Sequence, residues 1–210
     1  MTDIRKVGVI GAGVMGAGIA AHMANAGLPV VLLDVVPDGA NARNVLSDTA
    51  VARLLKTNPA PFMHKRNARR IVTGNIEDDL DQLGECDWII EAIIEKPDIK
   101  QDLYRSLAPH LKPKAIVSSN TSTLPLLVLT EGMDDDLRKR FFITHFFNPP
   151  RYMRLLEIVA GPDADPDLES RVSDFADAQM GKSVVTAKDT PGFIANRIGT
   201  FWLQAAVTEA

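Results

Sequence analysis

A single cysteine, Cys86, in 210 residues leaves this sequence without an internal disulfide or a metal site built from several thiolates. A reducing compartment suits such a chain, and Cys86 reads as an ordinary buried residue rather than a reactive thiol. Long apolar runs are also missing, for no stretch reaches the roughly 18 continuous residues that a membrane span requires. Nor is there a surplus of positive charge. A formal net charge of −4 and a pI near 5.6 give no electrostatic reason to expect nucleic acid or another polyanion as partner. "MTDIRKVGVIGAG" passes straight into a strand pattern with no charged leader, apolar core and cleavage site in order, so the cytoplasm is the expected address. The 46% hydrophobic content suffices for one sizeable core.

The order of elements alternates. "KVGVI" reads as a strand, "GAGVMGAGIAAHMANAG" as a glycine turn and a helix stopped at Gly27, and "PVVLLD" as a strand closing on Asp34. A polar, basic excursion from about Ala40 to Arg70 contains a helical stretch, "NARNVLSDTAVARLLK", whose Val45, Leu46, Val51, Leu54 and Leu55 suit one face. Strand patterns recur at "RIVTG", "DWIIEAII", "AIVSSN", "FFITHFF", "RLLEIVA" and "SVVTA", with helical candidates at "PDIKQDLYRSLAPHL", "PLLVLTEGM" and "DPDLESRVSDFADAQMG". This predicts an α/β, Rossmann-like domain with a largely parallel sheet and antiparallel pairing among the late strands. Asp-Thr-Pro-Gly then punctuates the chain before a final helix. Phe193, Ile194, Ile198, Phe201, Trp202 and Ala205 give that helix an apolar face that the preceding domain does not fully cover. Residues 1–188 are expected to form the first domain, and 189–210 to open an all-α C-terminal domain that is truncated here.

In "VGVIGAGVMGAG", Gly11, Gly13 and Gly16 fit G-x-G-x-x-G between strand and helix. The first glycine permits a tight turn, the second lets the backbone approach a pyrophosphate, and the third brings helix and strand together. The whole turn, Gly11, Ala12, Gly13, Val14, Met15 and Gly16, is thus the candidate cradle for a dinucleotide at a helix N-terminus. Asp34, about twenty residues on, is placed to accept from an adenosine ribose and to repel a 2′-phosphate, which favours NAD over NADP. The bland alternative is a glycine-rich helix start followed by an acidic turn.

"FFITHFFNPPRYMRLLEIV" sets one imidazole, His145, and one carboxylate, Glu157, in otherwise apolar strands. If the two strands form a hairpin around "NPPRYM", the midpoint between 145 and 157 is Arg151, inside the loop, and the two polar groups face each other. Pairing removes the penalty of burying each alone, about 1–3 kcal/mol. It also fixes the ring, leaving one nitrogen to accept a substrate proton. A purely structural His–Glu bridge is the competing reading. His22, His64 and His110 have no comparable partner and read as surface or packing residues.

With "GAGVMGAGIA", "EAIIEKPDIK", "SSNTSTL", "THFFNPPRYMRLLEIV" and "KDTPGFIANRI" in order, nearly the whole chain resembles the NAD-dependent L-3-hydroxyacyl-CoA dehydrogenases of fatty-acid β-oxidation. That resemblance implies a catalytic His145 oriented by Glu157, with Ser122 and Asn196 bonding the reacting oxygen or its neighbours. It also implies Glu95, Lys100, Ser122 and Asn148 near the nicotinamide half of NAD, an acyl-CoA substrate, and a homodimer made through the C-terminal domain. Arg53 and Lys56 share a helical face and are natural candidates for coenzyme A phosphates, although such charges more often form a solvated surface. Two other readings remain: a dehydrogenase of a free hydroxy acid on the same architecture, and an NAD-binding module without catalysis.

Overall fold

Four successive apolar or small residues, VGVI, form β1 (Val7–Ile10), buried at every position as a strand covered on both faces must be. In the computed structural model, which describes residues 4–209, strand and helix then alternate. α1 (Val14–Asn25) is followed by β2 (Val30–Asp34), α2 (Val45–Leu54), β3 (Ile71–Asn75), β4 (Trp88–Glu91), α3 (Pro97–Leu107) and β5 (Ile116–Ser119). Two short helices, α4 (Leu126–Leu129) and α5 (Asp135–Lys139), lead to β6 (Phe141–Phe146) and β7 (Leu155–Ala160). α6 (Pro166–Ala178), β8 (Ser183–Thr186) and α7 (Ala195–Thr208) complete the order.

The eight strands make one sheet in the order β3-β2-β1-β4-β5-β6-β7-β8. All neighbours from β3 across to β6 are parallel, β6 and β7 are antiparallel, and β8 is parallel to β7. This is a Rossmann-like sheet whose order reverses at β1, where β2 lies on one side and β4 on the other. Strand period two divides the core. Phe142 and Phe146 of β6 join α1, α2 and α6 on one face, while Phe141 and Ile143 join α3, α4 and α5 on the other. On the first face three buried polar groups pair with one another, Trp88 Nε1–H donating to Ser118 Oγ at 2.8 Å, which lies 2.7 Å from Thr144 Oγ1.

Several expectations need correction. The antiparallel pairing expected among the late strands is present at β6–β7, whereas β8 runs parallel to β7 because α6 carries the chain back across the sheet, as a crossover must. "DWIIEAII" is strand only as far as Glu91, the rest being loop. "PLLVLTEGM" supplies just α4, and the charged α5, capped by Asp134 accepting from the Leu137 N–H at 2.9 Å, was not foreseen. On α2 the buried positions are Ser47, Ala50 and Leu54, whereas Leu46 is 38% exposed. Phe193 does not belong to the last helix: it precedes α7 with φ +46° and is buried in the α3 side of the core. Ile198, Phe201 and Trp202 of α7 are exposed.

Among the described residues, no helix is long and apolar enough to cross a membrane, and no cluster of His, Cys, Asp or Glu is placed to hold a metal ion. Burial pushes the Cys86 thiol up to about 12, which suits an inert core residue.

Of the three further histidines, His22 is a packing residue, buried on α1. Burial, and then the charge of Lys182, push its imidazole down from 6.5 to about 4. The unfolded chain therefore binds a proton near pH 6.5 that the folded protein refuses until about pH 4, so stability present above pH 6.5 is lost as pH falls through that window. Replacing His22 by Leu is expected to shrink the stability lost between roughly pH 7.5 and roughly pH 4.5 by about 2 kcal/mol. Urea denaturation of both proteins at the two pH values measures it, and equal losses would contradict the assignment.

Candidate active site

The glycine turn follows β1 at the carboxyl edge of the sheet, and each glycine has its own reason. Gly11 holds φ +99°, and a Cβ there would lie 2.5 Å from the Ala92 carbonyl oxygen. At Gly16 a Cβ would lie 1.8 Å from the Gly11 carbonyl, so helix and turn touch only without a side chain. At Gly13 a Cβ would meet no protein atom within 4 Å, so that backbone is open to a ligand. No side chain caps α1 and its first turn holds no acid, which suits the approach of a phosphate to its N–H groups. Asp34 Oδ2 accepts from Ala12 N–H at 2.6 Å and Oδ1 from Val35 N–H at 2.7 Å, fixing the carboxylate beside the turn.

From Gly11 and Gly13 a cavity of about 610 Å³ runs past Asp34 to Ile76, Ile94 and Leu103. Its shape and chemistry fit a dinucleotide: N–H groups for the pyrophosphate, Asp34 for a ribose, and apolar walls for an adenine ring. Ile93 and Ile94, which the sequence pattern assigned to a strand, line this cavity from the loop after β4.

His145 stands directly opposite Glu157 in the β6–β7 register. Its Nδ1 lies 2.8 Å from Glu157 Oε2, and because a carboxylate only accepts, the proton belongs on Nδ1 and Nε2 is left as an acceptor. Both side chains are nearly buried, and the rings of Phe147 and Phe193 lie 4.4 and 5.6 Å from the imidazole, centroid to centroid. The second carboxylate oxygen, Oε1, accepts from the N–H groups of Ile194 at 3.0 Å and Ala195 at 2.8 Å. These are the first donors of α7, so Glu157 also caps the helix whose first turn carries Asn196. One carboxylate thereby sets the base and the entry of α7 together.

Glu95 and Ser122 meet on the neighbouring strand ends. Glu95 Oε1 accepts from Ser122 N–H at 3.1 Å and from the hydroxyls of Thr121 and Thr123. Burial alone raises the Glu95 carboxyl, but the Thr121 hydroxyl and the Lys100 charge more than offset it, leaving its pKa below the ordinary value. Lys100 is not open to the cleft: it is 1% exposed, with Nζ 2.5 Å from Glu91 Oε1 and 3.2 Å from Glu95 Oε2. Asn120, which sequence reasoning passed over, links the two halves, its Oδ1 accepting from Phe146 N–H at 2.9 Å. Asn148 is exposed and lines a second cavity with Arg53.

The glycine turn, Asp34 and the cavity beside them fit a dinucleotide, and comparison with known proteins identifies the family. Residues 6–190 match the family described as 3-hydroxyacyl-CoA dehydrogenase, NAD binding domain, and the chain belongs to it. Its cofactor is NAD and its family is one of NAD-dependent oxidoreductases. A probable 3-hydroxyacyl-CoA dehydrogenase of Deinococcus radiodurans is 50% identical over 97% of this chain and 59% of its own length. A Bacillus subtilis protein of the same description is 46% identical over 98% of this chain and 28% of its own. The crystal structure of (S)-3-hydroxybutyryl-CoA dehydrogenase from Ralstonia eutropha aligns with a TM-score of 0.75 and 32% identity, covering 93% of this chain and 68% of that one. The chain thus spans between under a third and about three fifths of the length of these two curated relatives.

Glu157 is the common acceptor of three donors, and an amide in its place can keep the α7 N–H groups only by turning its NH2 to His145 Nδ1, which forces the ring into the Nε2–H tautomer and gives up the charge of the acceptor. Glu157→Gln is expected to lower the unfolding free energy by about 1–3 kcal/mol. Urea denaturation measures this, and an unchanged midpoint would mean that the carboxylate does not hold these groups.

Proposed function

We propose that the protein oxidises an L-3-hydroxyacyl-CoA to the 3-oxoacyl-CoA in fatty-acid β-oxidation, with His145 as general base oriented by Glu157. The observation that carries this reading is the 2.8 Å pairing of the two, at the strand edge that also forms the NAD cradle. Bound NAD supplies the hydride acceptor. His145 Nε2 takes the hydroxyl proton, and Glu157 holds the required tautomer and stabilises the imidazolium that forms. Ser122 and Asn196 bond the reacting oxygen as it changes from alcohol to carbonyl. Glu95 and Asn148 border the nicotinamide end, and Asp34 selects NAD over NADP.

An acyl-CoA substrate, rather than a free hydroxy acid, draws support from the second cavity, of about 300 Å³. Arg53, Thr57, Asn148 and Tyr152 line it, giving a cation and polar groups beside an apolar floor of Val14 and Leu54. Lys56, the expected companion of Arg53, does not line it. Its walls are joined: Tyr152 OH donates to the Ala60 carbonyl at 2.9 Å and Arg151 Nη1 to that of Phe62 at 3.1 Å. We assign residues 1–188 to the cofactor domain and α7 to the start of a helical domain that completes the acyl-CoA cleft and carries a homodimer interface. The exposed Ile198, Phe201 and Trp202 support this. The lone buried cysteine supports a cytoplasmic address.

NADH formation from L-3-hydroxybutyryl-CoA by the full-length protein, helical domain included, tests the proposal, with free 3-hydroxybutyrate as the competing substrate. Turnover is expected with the thioester, and His145→Gln is expected to lose about 10²–10⁴-fold in kcat while NAD affinity holds. Wild-type turnover by His145→Gln would make the pair a structural bridge, and equal use of the free acid would remove the acyl-CoA assignment.

A further inference from the structure

β4 is apolar at Trp88, Ile89 and Ile90 and then ends on Glu91, a carboxylate with 0% exposure. Burying such a group costs several kcal/mol unless its acceptor positions are filled. Here they are. Oε1 accepts from Lys100 Nζ at 2.5 Å and Ile93 N–H at 2.7 Å, and Oε2 from Tyr104 OH at 2.6 Å and Ser119 Oγ at 2.7 Å. Those donors come from the loop after β4, from α3 and from β5, so Glu91 joins three elements at one point.

The same groups continue toward the cleft. Ser119 Oγ accepts from Thr121 N–H at 3.2 Å, and Thr121 Oγ1 reaches Glu95 Oε1. Lys100 passes from Glu91 to Glu95 Oε2. Glu95 Oε1 is taken by three donors from the 121–123 turn, whereas Oε2 meets only Lys100 among the described residues and keeps room for a second donor on a side chain 36% exposed. Amide N–H or ribose O–H groups of a nicotinamide nucleotide are donors of the right kind. Tyr104 is sealed from the site, its ring packed edge-on against Phe141 at 4.9 Å, and burial followed by the Glu91 charge raises its phenol well above the ordinary value. Its hydroxyl therefore stays a donor, and its influence on a ligand must pass through Glu91.

We infer that Tyr104, Ser119 and Glu91 are positioning residues for cofactor binding, holding Lys100 and the 121–123 turn so that Glu95 Oε2 faces NAD. This rests on the reading of Glu95 as a cofactor contact and is independent of the acyl substrate. Calorimetric NAD binding to the protein tests it, with Tyr104→Phe, Ser119→Ala and Glu95→Gln, and with each of the first two combined with Glu95→Gln. Tyr104→Phe and Ser119→Ala should each weaken NAD by about fivefold, and that loss should fall below about twofold when Glu95 is already Gln. Unchanged NAD affinity in both single variants would overturn the inference. So would a loss of equal size with and without the Glu95 carboxylate, because that is the behaviour of general structural damage. If NAD binding follows the expected pattern while no hydroxyacyl-CoA is oxidised, the proposed reaction fails and the positioning role stands.

Discussion

The Glu157 carboxylate receives His145 Nδ1–H on one oxygen and two backbone N–H groups of the α7 entry on the other, and the geometry of the site depends on all three. A buried carboxylate deprived of one partner leaves an uncompensated group, so the three bonds are strongly favoured together. The register that creates them is fixed by apolar alternation. Leu156 and Ile158 pack on one face of the sheet and Val159 on the other, and a slip of β7 by one residue would move Glu157 to the wrong face and Leu156 and Ile158 out of their core. Sequence alternation thereby sets register, register sets the pair, and the pair sets the tautomer of the base.

A second buried carboxylate, Glu91, organises the adjoining strand ends in a comparable way, and Asn120 bridges the two regions through Phe146 N–H. The glycine turn, Asp34, Glu95, Ser122 and His145 all sit at or just beyond the carboxyl ends of parallel strands, the edge where such sheets bind ligands. Rigid elements hold the polar groups from behind, while the ligand-facing side consists of loops.

Much of this was legible in the sequence because it is encoded by local spacing. Equal arms around Arg151 put 145 opposite 157, and the glycine spacing foretold a turn tight enough to lie against Asp34. The crossover to β8 was also available: the long connection through α6 is what a parallel pair needs. Other features depend on tertiary contact. Glu91 looks like any strand end until Tyr104 and Ser119, 13 and 28 positions away, are folded onto it. Phe193 follows the apolar period of α7, yet the positive φ values of Gly192 and Phe193 turn its side chain back into the core beside His145. Gly18 gave no signal of its role, which is to let Pro150, and with it the loop after Asn148, lie against α1.

Glu157 dictates which nitrogen of His145 carries the proton. Nitrogen NMR of the His145 ring near neutral pH reads this directly. A protonated Nδ1 and a bare Nε2 are expected. A ring protonated on Nε2, or one averaging between the two tautomers, would contradict this and leave the pair without the orientation that a general base requires.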